Sequence, residues 1–486
     1  MMEQKIDFQK EYEIRKSQNL ENLRLAYLDR FEDADDLFQM FVKNMDNAFK
    51  YRGEIFKYTD HLRSKDKKWY AKKNTYALDV YLDEKENTIS GLCQHIDYFK
   101  DMDVKILNII GLLKPTLVVQ KQGDLPQFFT VDSRYGSVAD LHRFIGLCHE
   151  RNISVCFDNN AEFSKPENMD LLLADPLLFN KMVFDFLMFA NLGVDIFKIN
   201  TRPYKWTDFG VDFPYMGQGQ HVVDLLRATF DMVAPGCIFL INGEYDPETP
   251  FTYTGSLVEQ EGQLINNASS QDVVFHAIAT KNVEKLRTMI NSEINLGKVE
   301  TFMNYIQDPW GDKWNNLSAL CGLPYAKDRI EAELAISFDL MLQGYLLMLP
   351  GIPTMYLGDE VAYFGSKSLN WAYTEARFKT DSVQYHVSST ISYLKRVREV
   401  YPQFNEDAEV TAYDTFDPSV FGICRSYGGK HLIGLFNFSN TQKTAWIKES
   451  GNYTNLLNND FFLDQSIVIK PYAMLWLYSD KPLSLG

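Results

Sequence analysis

Four short apolar stretches end in residues able to do chemistry. Val194–Ile199 is a nearly continuous apolar run interrupted by Asp195 and Lys198, and it stops at Asn200. Leu240-Ile241-Asn242-Gly243 runs into Glu244, and Cys156-Phe157 runs into Asp158. Tyr305-Ile306-Gln307 leads to Asp308, Trp310 and Asp312. Buried parallel strands read this way, apolar along their length with polar side chains at the C-terminal end. If such strands close into an α/β barrel, those ends line one mouth, where barrels of this kind hold their active sites. Asn200 is neutral, hydrogen-bonds well and is not a nucleophile. Glu244, Asp158, Asp308 and Asp312 are carboxyl groups able to carry or accept a proton, and Trp310 can stack on a ring.

The elements that must position these residues alternate. Strands are predicted at Tyr76–Leu82, Val104–Ile110, Ile153–Asp158, Val194–Asn200, Cys237–Asn242, Gly262–Asn266, Glu300–Ile306 and Thr354–Leu357. Helical patterns cover Ile89–Met102, Val138–Arg151, Pro176–Leu192, Gln220–Val233, Val273–Ile294 and Ile330–Leu349. Eight strands over roughly 300 residues fit a (β/α)8 barrel better than an open sheet. Before it, residues 1–73 are charged, poor in Gly and Pro, and apolar at helical spacing, so a helical region is expected. After it, residues 403–486 hold short strands at Val410–Tyr413, Val420–Ser426, Leu432–Asn437, Thr444–Trp446, Ser466–Ile469 and Ala473–Tyr478, an all-β domain. The barrel is thus assigned to residues 74–402.

Composition narrows the function. The 486 residues carry a net charge of −16, which argues against nucleic acid and anionic membranes as partners. Six scattered cysteines without a CxxC read as reduced core residues, and the N-terminus lacks the apolar core of a signal peptide. A cytoplasmic location is expected. No apolar run is long enough to span a membrane. No HxH, HxxE or HExxH spacing suggests a metal, and no GxxxxGK[ST] loop suggests a nucleotide, so no cofactor is expected. The aromatic content of 14% suits either a large core or sugar-stacking platforms.

Several motifs carry a resemblance. These are Trp69–Asn74 entering Ala77–Tyr81, Ala190-Asn191-Leu192-Gly193-Val194-Asp195-Ile196, Ala234-Pro235-Gly236, Asn304-Tyr305, Pro350–Glu360 and Pro471–Leu477. Together they resemble the α-amylase superfamily of glycoside hydrolases, and within it the amylosucrase-like branch, over nearly the whole chain. The resemblance implies a (β/α)8 barrel with a C-terminal β sandwich, acting on α-glucosides or sucrose. It also implies an Asp nucleophile ending strand four, preceded at two residues by Arg, a Glu acid/base ending strand five, a His-Asp pair after strand seven, and a His after strand three. In this chain Asn200 stands at the nucleophile position and Lys198 at the Arg position. Glu244 falls at the acid/base position. Asp158 matches an Asp of strand three, but the following His is absent. Pro309 and Trp310 fall where the His-Asp pair is expected. The segment between strand three and its helix, Glu162–Asp175, is much shorter than in the family.

Retaining glycosyl transfer needs a carboxylate to attack the anomeric carbon, and an amide cannot form that ester. Lysine also lacks the planar fork that orients a carboxylate. The expectation is therefore a catalytically inactive relative acting by sugar binding or as a regulatory or scaffolding partner of another protein. On that view Glu244 is a vestigial acid, and Lys198, Asp158, Asp308, Trp310 and Asp312 are candidate sugar contacts. Lys198 also admits a plainer role in a hydrogen bond between structural side chains at the mouth. The alternative is an active hydrolase or glucosyltransferase, with Glu244 as acid and Asp308, Asp312 or Asp158 as base.

Overall fold

A computed structural model describes residues 6–114, 129–158, 174–199, 216–242, 264–267, 270–297, 299–307, 316–365, 367–448 and 451–479. Eight parallel strands close into a barrel: β1 (Ala77–Tyr81), β2 (Ile106–Ile110), β3 (Ser154–Asp158), β4 (Ile196–Ile199), β5 (Ile238–Asn242), β6 (Leu264–Asn267), β7 (Phe302–Asn304) and β8 (Ile352–Tyr356). Each strand pairs with its neighbours in sequence, and β1 pairs with β8 to close the ring. The fold expected from the sequence is the one observed.

Strand boundaries fall within one or two residues of the predicted ones, and helix Pro176–Leu192 runs as read. Pro176 sits in its first turn behind the capping side chain of Asp175, and Gly193 ends it in the left-handed conformation at φ 107°. Two predicted helices each prove to be two. Ile89–Met102 splits into Ile89–Gln94 and Ile96–Asp101 at His95, whose ring stacks on Trp371 at 4.0 Å. Val273–Ile294 lies across Ser270–Thr280 and Glu284–Leu296, parted at Lys281 with φ 55°.

The N-terminal helices α1 (Phe8–Arg30), α2 (Asp35–Tyr51) and α3 (Glu54–Lys65) are part of the barrel's packing. Tyr27, Phe31 and Phe41 gather around Phe179 of the Pro176–Leu192 helix with Phe38 against Tyr27 and Phe41, and the Tyr27 hydroxyl donates to Asn180 Oδ1 at 2.8 Å. The buried Arg52 guanidinium grips Asp60 through two hydrogen bonds (2.6 and 2.9 Å) and donates to the Ala190 carbonyl at 2.9 Å. Arg63 donates to Asp195 Oδ1 at 2.6 Å and to the Gly236 carbonyl at 3.2 Å. Asp195 and Gly236 precede β4 and β5, so α3 docks beneath the barrel, at the end opposite the mouth, while α1 and α2 pack along its outer helices.

The C-terminal region forms an antiparallel six-stranded sheet and a two-stranded sheet pairing Lys443–Trp446 with Ser466–Ile469. Two strands of the larger sheet, Tyr453–Asn455 and Phe461–Phe462, had no counterpart in the sequence reading. Arg398 and Arg425 hold this region to the barrel. Their side chains donate to carbonyls at the C-terminal end of helix Arg329–Met348, where the helix dipole favours cations, and both stack on Phe404. Among the described residues no helix is long and apolar enough to cross a membrane.

Candidate functional site

Strand alternation builds the mouth from the floor upward. Ala77, Ile106, Cys156, Ile196, Ile238 and Ile352 form a buried apolar cluster inside the barrel. Successive side chains point to opposite faces, so two residues further along each strand the same inner face returns. There it carries Asp79, Asn108, Asp158, Lys198, Leu240 and Thr354, all buried. Strand register sets Asp79 beside Asn108 and Tyr356, and Asp158 beside Lys198.

The central contact is an ion pair. Lys198 Nζ lies 3.0 Å from Asp158 Oδ2, with side chains 1% and 3% exposed. An ammonium removed from water to this depth needs a close counter-charge, and Asp158 supplies it. Next to this pair Asn108 Nδ2 donates to Asp79 Oδ1 at 3.2 Å. Above Asp79 the rings of Tyr81 and Tyr356 stack at 5.8 Å and 14°, and Lys367 Nζ lies 4.7 Å from the Tyr81 ring centre. Burial, with Asp79 and Tyr81 close by, raises the Tyr356 hydroxyl well above the usual phenol range. It therefore stays a neutral donor. The described part of the mouth offers stacked phenols, an amide and two carboxylates, each already engaged by a neighbour.

The structure brings two of the sequence-predicted site residues together, Lys198 and Asp158. Asn200, Glu244, Asp308, Trp310 and Asp312 lie outside the described residues. The sequence reading missed Asp79, Asn108 and Tyr356 as members of the same layer, and Tyr81 above them. Their signal was available in the alternation of Ala77-Leu78-Asp79-Val80-Tyr81 and in the single polar residue of Ile106-Leu107-Asn108-Ile109-Ile110.

Other buried carboxyl and amide groups of the barrel are structural. Asp359 Oδ1 accepts from the Leu317 amide at 3.0 Å, and Glu360 accepts from the Tyr98 hydroxyl at 2.6 Å and the Gly358 amide at 2.8 Å. Burial raises both carboxyls above their usual range. On the outer barrel face Asn267 Nδ2 donates to Glu293 Oε1 at 2.8 Å and to Asn304 Oδ1 at 3.0 Å, and Asn304 Nδ2 donates to the Pro350 carbonyl at 2.7 Å. Burial pushes Glu293 up to about 8 against the pull of Asn267. Gly351 follows at φ 93°, and a Cβ there would stand 2.5 Å from the Phe302 carbonyl oxygen. The Asn304 and Pro350-Gly351 motifs thus serve one purpose, closing β7 onto β8. Among the described residues no group of three or more His, Cys, Asp or Glu is placed to hold a metal ion.

A (β/α)8 barrel with a β domain behind it and a mouth built from strand ends is the architecture of the α-amylases. The structure aligns with an Anoxybacillus α-amylase at a TM-score of 0.60 and 12% identity, over 85% of this chain and 99% of that one. In sequence the chain is similar to the glucosylglycerate phosphorylase of Escherichia coli, 22% identical over 371 residues, 64% of this chain and 65% of the relative. The glucosylglycerate phosphorylase of Allomeiothermus silvanus is 21% identical over 370 residues, 64% of each chain. The match therefore spans less than two thirds of either relative's length. No family model matches the chain. The shared fold is that of an α-amylase-like barrel with a C-terminal β domain.

Proposed function

We propose that this chain is a carbohydrate-binding member of the α-amylase superfamily that does not run the retaining glycosyl-transfer mechanism. One observation carries the reading: Lys198, two residues before the nucleophile position, is buried in an ion pair with Asp158. In a working site the cation at that position would orient a nucleophilic carboxylate. Here the nucleophile position, two residues on, is Asn200, and the cation answers to strand three instead. Without the ester-forming carboxylate no glycosyl-enzyme can form. The ligand class we assign is an α-glucoside, held at the mouth near Tyr81 and Tyr356, with Asp308, Trp310, Asp312 and the vestigial Glu244 as further contacts. Binding would serve a regulatory or scaffolding role.

A second reading has one observation in its favour. Both curated relatives are named as phosphorylases of glucosylglycerate, so an active phosphorylase or hydrolase with relocated carboxylates is the competing assignment. One experiment separates the two. Purified protein and Glu244→Gln are each offered glucosylglycerate, sucrose and maltooligosaccharides, with and without inorganic phosphate. Melting temperature and the release of glucose and glucose 1-phosphate are then measured. Our reading expects a rise in melting temperature with one glucoside and no product. Product from the wild type that disappears in Glu244→Gln would overturn it.

A further inference from the structure

Helix α3 carries large apolar side chains on two opposite faces. One face is docked: Phe56 meets the His149 ring edge-on at 6.1 Å, Asp60 holds Arg52, and Arg63 reaches Asp195. The opposite face presents Ile55, Tyr58 and Leu62, which are 70%, 48% and 48% exposed. A surface helix that has buried one stripe normally turns polar residues outward. A run of exposed apolar residues at i, i+3 and i+7 is instead the spacing of a helix–helix seam.

We infer that this stripe pairs with the same stripe of a second copy of the chain, the two α3 helices lying antiparallel about a two-fold axis at Tyr58. The stripe is self-complementary in that sense. Reversing it sets Ile55 opposite Leu62 and Tyr58 opposite its own copy. Glu54 in the first turn then faces the last turn, which carries Lys65. A parallel pairing would set Glu54 on Glu54 and Lys65 on Lys65, so charge selects the antiparallel arrangement. Within its own chain Glu54 meets Lys57 at 3.1 Å, an exposed contact of the kind that contributes little. A two-fold contact uses one patch on both copies, the commonest form of self-association. Because α3 lies beneath the barrel, the two mouths point away from each other and stay open. Three side chains per copy fall short of the roughly 800 Å² per partner typical of a stable complex. The pairing is therefore concentration-dependent.

The test is light scattering behind size-exclusion chromatography over a dilution series of the full chain. The expected mass rises from 56.3 kDa towards twice that value as concentration increases. Ile55→Glu stays at the monomer mass at every concentration, with an unchanged circular dichroism spectrum because Ile55 is exposed. Lys65→Glu weakens association, and adding Glu54→Lys to it restores association. Tyr58→Cys cross-links to itself under mild oxidation. Ile55→Cys alone does not, but it cross-links when mixed with Leu62→Cys. A wild type that is monomeric throughout would sink the inference. So would association untouched by Ile55→Glu, which would point to another surface, or a charge reversal that the second substitution fails to rescue.

Discussion

Lys198 of the fourth barrel strand is paired with Asp158 of the third, 3.0 Å apart and almost wholly shielded from water. Removing one partner leaves the other as an uncompensated buried charge, which costs about 3–5 kcal/mol. Lys198→Met and Asp158→Asn are each expected to lower the urea unfolding free energy by that order. The double variant Lys198→Met/Asp158→Leu should recover most of the loss, because apolar replacement of a whole buried pair is often near neutral. A double variant no more stable than the singles would show that the two side chains do not act as a pair.

Glu293 gives the protein a sensitivity to alkali. Its carboxyl is pushed up to about 8 by burial, from an ordinary value of 4.5. Between those values the folded state holds a proton that the unfolded chain has released, so stability falls as pH rises across this window. Glu293→Gln keeps an acceptor for Asn267 and has no proton to lose. Relative to wild type it should gain stability progressively from pH 5 to 8, reaching on the order of a few kcal/mol. Urea midpoints of the two proteins at stepped pH would show a difference that grows with pH. A constant difference would mean that Glu293 is not titrating in this range.

Asp195 has the opposite sign. Burial would raise its carboxyl, but Arg63, His149 at 2.8 Å and the Val155 amide at 2.8 Å outweigh burial and hold it well below the usual range. A depressed carboxyl contributes stability that is present above the ordinary Asp value near 4 and is lost as pH falls below it. Arg63→Met should lower stability at neutral pH by about 2–4 kcal/mol and flatten the acid limb. Acid titrations followed by tryptophan fluorescence check both effects, and an acid limb as steep as that of wild type would count against the assignment.

Gly351 is placed where no other residue fits. Its φ of 93° is unfavourable for side-chain-bearing residues, and the carbonyl oxygens of Phe302 and Val299 lie 2.5 and 2.7 Å from where a Cβ would go. Gly351→Ala should destabilise by at least about 2 kcal/mol, the strain adding to the displacement of β7 from β8. Gly297→Ala serves as a control, since its φ is also positive, at 63°, but nothing lies within 4 Å. Calorimetric melting of both variants should show a much larger drop for Gly351→Ala.

The barrel was legible because each strand is a short apolar run and each helix has its own period. The eight strand positions could be read without knowing how they pair. The helix breaks were harder to see. His95 interrupts a helical pattern because Trp371, far along the chain, takes its ring. The break at Lys281 does have a local signal in Asn282, whose side chain caps Glu284, but the apolar spacing runs across it. Strands Tyr453–Asn455 and Phe461–Phe462 are two or three residues long beside an Asn-rich turn, too short for any alternation to register. In the site, Lys198 and Asp158 were each found as unusual residues at strand ends. Their pairing was not, because it depends on the register between two strands that sit 40 residues apart. The same holds for Asp79 with Asn108.

The docking of the N-terminal helices also bears on how the chain is made. Tyr27 needs Asn180, Arg52 needs Ala190, and Arg63 needs Asp195 and Gly236, partners 132 to 173 positions later in the chain. A ribosome adding about 5–20 residues per second takes several seconds or more to reach them. Throughout that interval Phe38 and Phe41 have no aromatic shelter on the barrel side. These helices thus wait for partners made well after them, and during synthesis they carry an uncovered apolar face until residue 236 has been added. Ribosome-bound chains halted before Phe179 should be cleaved readily within α1 and α2, and chains halted well past Gly236 should resist.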